Sequence, residues 1–97
     1  MTVVRFLPDA ETELLHEVAY YSAAGAGVGI RFQVMVEAAT QLAVQHPLGG
    51  SPYPHGTRAA LVKGFPFSVI YRASETELLI VAIAPHRRRP NYWKSRV

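Results

Sequence analysis

Apolar residues recur along this chain with two different periods, and the switches between them mark its elements. In "VVRFLP", Val4 and Phe6 alternate with Val3, Arg5 and Leu7, the two-residue period of a short strand. Pro8 and Asp9 break that strand, and Asp9 is the expected N-cap of a helix over residues 9–23. Ala10, Leu14, Val18 and Tyr21 share one face of this helix. Glu11, Glu13 and Glu17 occupy much of the remaining surface, and Glu13 and Glu17, one turn apart, read as a solvated face. "AAGAGVG" closes the helix and opens a second, whose stripe is Phe32, Met35, Val36, Ala39, Leu42 and Ala43. The stretch His46–Gly56, with three prolines and three glycines, stops the second helix and reads as a surface loop.

Beyond the loop, "RAALVK", "FSVIYR" and "ELLIVAIA" are strand-like in length and β-branched content. Gly64–Pro66 and Ala73–Thr76 connect them, and connections this short favour antiparallel hairpins. The expected fold class is α+β: an N-terminal strand and a two-helix hairpin packed on an antiparallel sheet, in the order β-α-α-β-β-β, ending in a basic segment. Residues 1–97 form one domain, since nothing in the pattern resembles a linker. The last strand breaks the rule for a two-layer fold. Leu78, Ile80 and Ala82 alternate with Leu79, Val81 and Ile83, so both faces are apolar where one should be polar. A second cover is expected there: the C-terminal segment, another subunit or a partner chain.

Composition narrows the picture in two places. The chain has no cysteine, which removes disulfides, thiolate metal sites and a Cys nucleophile. No segment approaches a membrane span and the N-terminus has no signal-peptide pattern, so a soluble cytoplasmic protein is expected. The net charge of +3 is modest but unevenly placed. Arg87, Arg88, Arg89, Lys94 and Arg96 give residues 86–97 a charge of +5 with no acid, while residues 1–85 hold five bases against seven acids. A patch of that sign steers anionic partners toward one place.

Candidate chemistry follows from that tail. "GAGVG" (Gly25, Gly27, Gly29) has part of a dinucleotide fingerprint, but it follows a helix where the fingerprint follows a strand, and reads as an interhelical turn. His16, His46, His55 and His86 have no metal-ligand spacing, so no metal and no cofactor are expected. Arg58, Lys63 and Arg72 lie at strand ends; they either snorkel to solvent or extend the positive patch. In "PHRRRPNYW", Arg87, Arg88 and Arg89 suit phosphate, Tyr92 and Trp93 offer surfaces on which a base could stack, and His86 can exchange protons near neutral pH. The competing reading packs Tyr92 and Trp93 back over the sheet with the arginines in water. Both can hold together.

"FPFSVIYR" followed by "LLIVAIAPHRRRPNYW", behind the "DAETELLHEVAYY" helix and the second helix ending in "HP", resembles the small toxins of the RelE/ParE superfamily over the whole chain. The resemblance implies the toxin of a type II toxin–antitoxin module, bound and silenced by a cognate antitoxin protein in a hetero-oligomer. It also implies one of two targets. RelE-like members cut messenger RNA on the ribosome without metal, whereas ParE-like members bind and inhibit DNA gyrase. The tail motif places Arg87 where the nucleases hold a catalytic arginine, and Tyr92 or Trp93 where they hold a catalytic or stacking aromatic. The nucleases' strand arginine is replaced by Ser68, and their basic pair falls near Ala59 and Leu61, with Lys63 or Arg58 as shifted substitutes. Losing one aimed cation costs about 3 kcal/mol, roughly a hundredfold in rate. The expectation is therefore a ParE-like toxin that binds and does not cut. The alternatives are a metal-independent endoribonuclease using His86, Arg87 and Tyr92, and a nontoxic relic or nucleic-acid-binding domain.

Overall fold

The computed structural model describes residues 2–89 and 91–97. Strand β1 (Val3–Phe6) leads into helices α1 (Pro8–Ala24) and α2 (Val28–Gln45), and then come strands β2 (Ser51–Tyr53), β3 (Thr57–Val62), β4 (Phe67–Ala73) and β5 (Glu77–Pro85). A single 3-10 turn, Lys94–Arg96, lies near the C-terminus. The α+β class and the helical hairpin are as expected, with two additions. The Gly/Pro loop contains the short edge strand β2, and β1 joins the sheet in parallel with β5, giving the order β1-β5-β4-β3-β2. No described helix is long and apolar enough to cross a membrane.

Helix α1 begins one residue earlier than its expected cap. Leu7 holds the N-cap position in extended conformation and Pro8 opens the helix, where its missing N–H removes nothing. Asp9 lies in the first turn instead, where its charge complements the helix dipole. The reversal between helices needs Gly27, whose φ of 77° is left-handed. Gly29 is needed for a different reason: a Cβ there would sit 1.9 Å from Ser22 Oγ and 2.6 Å from the Val18 carbonyl, so the helices touch backbone to side chain.

The helix-facing side of the sheet holds the main core. Phe32, Val36, Ala39 and Ala43 of α2 and Ala10 of α1 pack on Val62, Phe65, Phe67, Val69, Tyr71, Leu78, Ile80 and Ile83, with Leu14, Val18 and Tyr21 partly buried against them. Leu42 departs from the expected stripe. It is 58% exposed on the rim of a groove of about 450 Å³ between α2 and β3. Thr40 is buried in its neighbourhood, its hydroxyl donating to the Val36 carbonyl at 2.9 Å.

The doubly apolar β5 is explained by a second core and by a bulge. Ile70 pairs with Ala82 and Tyr71 with Ile80, leaving Val81 as an extra residue. The bulge shifts the alternation: Leu78, Ile80 and Ile83 face the helices, whereas Val81 and Ala82 both face the other side with Ile70 and Trp93. That second face is closed by the C-terminal segment itself. Trp93 is 1% exposed, and Tyr92, Leu79, Ala84 and Ala59 pack around it.

Candidate functional site

The tail that closes the second core is held by a carboxylate that patterning assigned to solvent. Past Ile80, where β1 has ended, β5 has no strand beside it on that edge. Glu13 of α1 fills the gap by accepting the Ile83 backbone N–H at 3.1 Å. The same carboxylate accepts the Tyr92 hydroxyl at 2.6 Å and takes Arg96 in a two-pronged pair at 2.9 and 3.0 Å. Arg96 also donates to the Val81 carbonyl at 3.1 Å. Unpaired strand groups are expensive to bury, and here side chains satisfy them while pinning the tail. Glu13 and Arg96 are each less than one-fifth exposed, so their pairing is stronger than a surface ion pair. Tyr92 consequently holds its proton. Burial first, then its hydrogen bond to Glu13, holds its phenol well above the ordinary tyrosine range. Five tail cations with no acid among them were the available sign that a carboxylate must come from elsewhere; which one, the helical pattern does not reveal.

The basic triplet does not act as one patch. His86 faces the tail side, where its Nε2 lies 2.8 Å from Ser68 Oγ. Arg88 is on that side too, its guanidinium stacked 3.9 Å from the centre of the Tyr92 ring. With Arg89 and Tyr53 these residues border a hollow of about 60 Å³. Arg87 faces the opposite way. It borders a separate hollow of about 310 Å³ beside α1, together with His16, Glu17, Tyr20, Tyr21 and Phe67. His86, Arg87 and Tyr92, grouped by the sequence, therefore have three different surroundings.

The remaining expected contact residues also separate. Lys63 is exposed just beyond the Val62–Phe67 pair, at the same end of the sheet as Pro85 and Arg87. Arg58 and Arg72 lie toward the other end and tie down the Gly/Pro loop. Arg58 donates to the Leu48 and Gly50 carbonyls at 3.1 and 2.9 Å, and Arg72 to the His55 carbonyl at 3.2 Å. Tyr71 completes that anchoring, donating to the Pro47 carbonyl and accepting the Gly50 N–H. Of the two readings of Trp93, a stacking surface or a cover packed over the sheet, its burial fits the second, with the His55 ring edge-on to it at 6.2 Å. Among the described residues no three His, Asp or Glu side chains converge in a group that could hold a metal ion.

Comparison with known proteins agrees with this architecture. Residues 4–90 match the family described as "ParE toxin of type II toxin-antitoxin system, parDE". Among solved structures, the chain is similar to one from P. aeruginosa titled "Chromosomal ParDE TA system". The TM-score is 0.73 at 19% identity, over 88% of this chain and 96% of that one. No curated protein matches the sequence significantly.

Proposed function

This chain belongs to the ParE toxin family of type II toxin–antitoxin systems, and on that premise we propose that it arrests growth by binding a cellular target in the cytoplasm. DNA gyrase is the first target to test, and a cognate antitoxin is the partner that neutralises it. The observation that supports binding over cleavage is the dispersal of the tail residues. Cutting RNA through its 2′-hydroxyl needs a proton acceptor and a cation converging on one phosphate. Here His86 faces Ser68 on one side of the sheet and Arg87 faces α1 on the other. Tyr92 is engaged by Glu13, and Ser68 stands where a nuclease would need another cation.

The experiment is a supercoiling assay with purified gyrase and purified toxin. Supercoiling is expected to fall as toxin is added, with cleaved DNA accumulating, and to recover when antitoxin is supplied. Unchanged supercoiling at a large molar excess of folded toxin would remove gyrase as the target.

A further inference from the structure

Four donor-bearing side chains, Ser68, His86, Arg88 and Arg89, border the small hollow on the tail face, and none of the residues lining it is an acid. The sheet fixes the first two. Ser68 pairs with Ala84 across the β4–β5 ladder, and the His86 backbone N–H extends that ladder by donating to the Pro66 carbonyl at 2.9 Å. Their side chains meet, Nε2 to Oγ, at 2.8 Å. With the imidazole donating, the Ser68 hydroxyl keeps its own hydrogen free for a ligand. A turn then brings the chain back, the Arg88 N–H donating to the Pro85 carbonyl at 3.1 Å. The Arg88 guanidinium lies over the Tyr92 ring, 3.9 Å from its centre, and that ring is held in turn by Glu13. Stacking uses the face of a guanidinium and leaves its N–H edge for an anion. Neither Arg88 nor Arg89 makes an ion pair with any described carboxylate.

Size and charge select the occupant. Two guanidiniums, a hydroxyl and an imidazole suit a compact tetrahedral dianion, whereas a planar carboxylate would leave donors unused. Ile70 and Trp93, each 1% exposed, close the hollow from below, and its volume of about 60 Å³ admits one such group and little more. A nucleic-acid strand needs cations in a row, but the neighbouring Arg87 faces α1 on the other side of the sheet. An internal phosphodiester also carries a single charge and a nucleotide on each side, for which the hollow has no room. A terminal phosphate carries close to two charges at neutral pH and has only one branch to accommodate. Tyr53, 42% exposed and also lining the hollow, offers that branch an aromatic ring. Holding such a group requires no proton acceptor, so the site is compatible with a protein that does not cut RNA.

We propose that this hollow binds a terminal phosphate group, either as inorganic phosphate or as the monoester of a small molecule such as a mononucleotide. The site does not depend on which target the toxin binds. Amide chemical shifts of the full chain are followed while inorganic phosphate, adenosine monophosphate or the dinucleotide ApA, whose one phosphate is a diester, is added at constant ionic strength in chloride buffer. Inorganic phosphate should shift the signals of Ser68, His86, Arg88 and Arg89 and saturate with a dissociation constant of about 1 mM or tighter. Adenosine monophosphate should bind at least as well, and ApA about tenfold more weakly or worse. Equal affinities for phosphate and the mononucleotide identify any terminal phosphate as the ligand, and a gain of about tenfold with shifts at Tyr53 identifies a nucleotide; both support the site. Arg88→Gln should weaken phosphate binding about tenfold or more and Ser68→Ala about threefold. Arg87→Gln, the same loss of charge one residue away on the opposite side, should weaken it by less than about twofold. Absence of any saturable shift around the hollow of the wild-type chain overturns the site. A loss with Arg87→Gln as large as with Arg88→Gln also overturns it, since diffuse attraction by the basic tail then accounts for binding. ApA binding as tightly as adenosine monophosphate overturns it too, in favour of a nucleic-acid strand.

Discussion

Trp93→Ala should lower the stability of the protein by about 3–5 kcal/mol, the largest effect expected of any single tail substitution. The indole is 1% exposed and packs on Ile70, Val81 and Ala82, so its removal opens a cavity and wets the sheet face that the C-terminal segment covers. For a domain of this size, each kcal/mol lowers the melting temperature by about 4–8 °C. Thermal melts followed by far-UV circular dichroism measure it. A loss below about 1 kcal/mol would mean that the tail is only appended to the sheet and that the second core does not hold the fold together.

Glu13→Gln should cost about 2–4 kcal/mol, although it changes only one oxygen into an amide nitrogen. The substitution removes Arg96's closer, two-pronged anion, leaving only Asp9 at 3.6 Å, and turns an amide toward the guanidinium, in a site where Glu13 and Arg96 are both mostly buried. The loss should be specific to the pair. In a double-mutant cycle with Arg96→Met, the two substitutions together should cost less than their sum by more than about 1 kcal/mol. Strict additivity would show that Glu13 and Arg96 act independently and that the tail is held by Trp93 alone.

These two side chains also show how far the sequence could be read. The apolar run Leu78–Ile83 announced a second cover, and "YW" in the tail offered one, so the cover was legible before the structure. The bulge was not. When Leu78 through Ile83 are all apolar, alternation carries no phase, and nothing marks Val81 as the extra residue that turns Ile83 back toward the helices. Glu13 was illegible for a related reason. Its spacing from Glu11 and Glu17 is that of a solvated helix face, and only the early end of β1 creates the open strand edge it fills. Leu42 failed in the opposite direction, because helical periodicity continues past the point where the sheet beneath α2 gives way to a groove.

The candidate site was legible as a list and not as an arrangement. His86, Arg87 and Arg88 are adjacent in sequence, but the chain has just left β5, and neighbouring side chains there keep facing opposite sides of the sheet. One consequence is that His86 and Arg88 share the tail face while Arg87 looks onto α1. Sequence adjacency suggested a phosphate patch; the geometry distributes the same charges over two surfaces. A protein that recognises macromolecules by two faces can tolerate that distribution. One that must focus a base and a cation on a single phosphate cannot.

The central claim, growth arrest by binding without RNA cleavage, is tested most directly by mapping the 5′ ends of cellular messages after the toxin is induced alone. Growth should stop while translated messages keep their normal ends, both in wild type and in Arg87→Ala. New ends within translated codons that appear with wild type and vanish with Arg87→Ala would contradict the claim and establish the nuclease reading in its place.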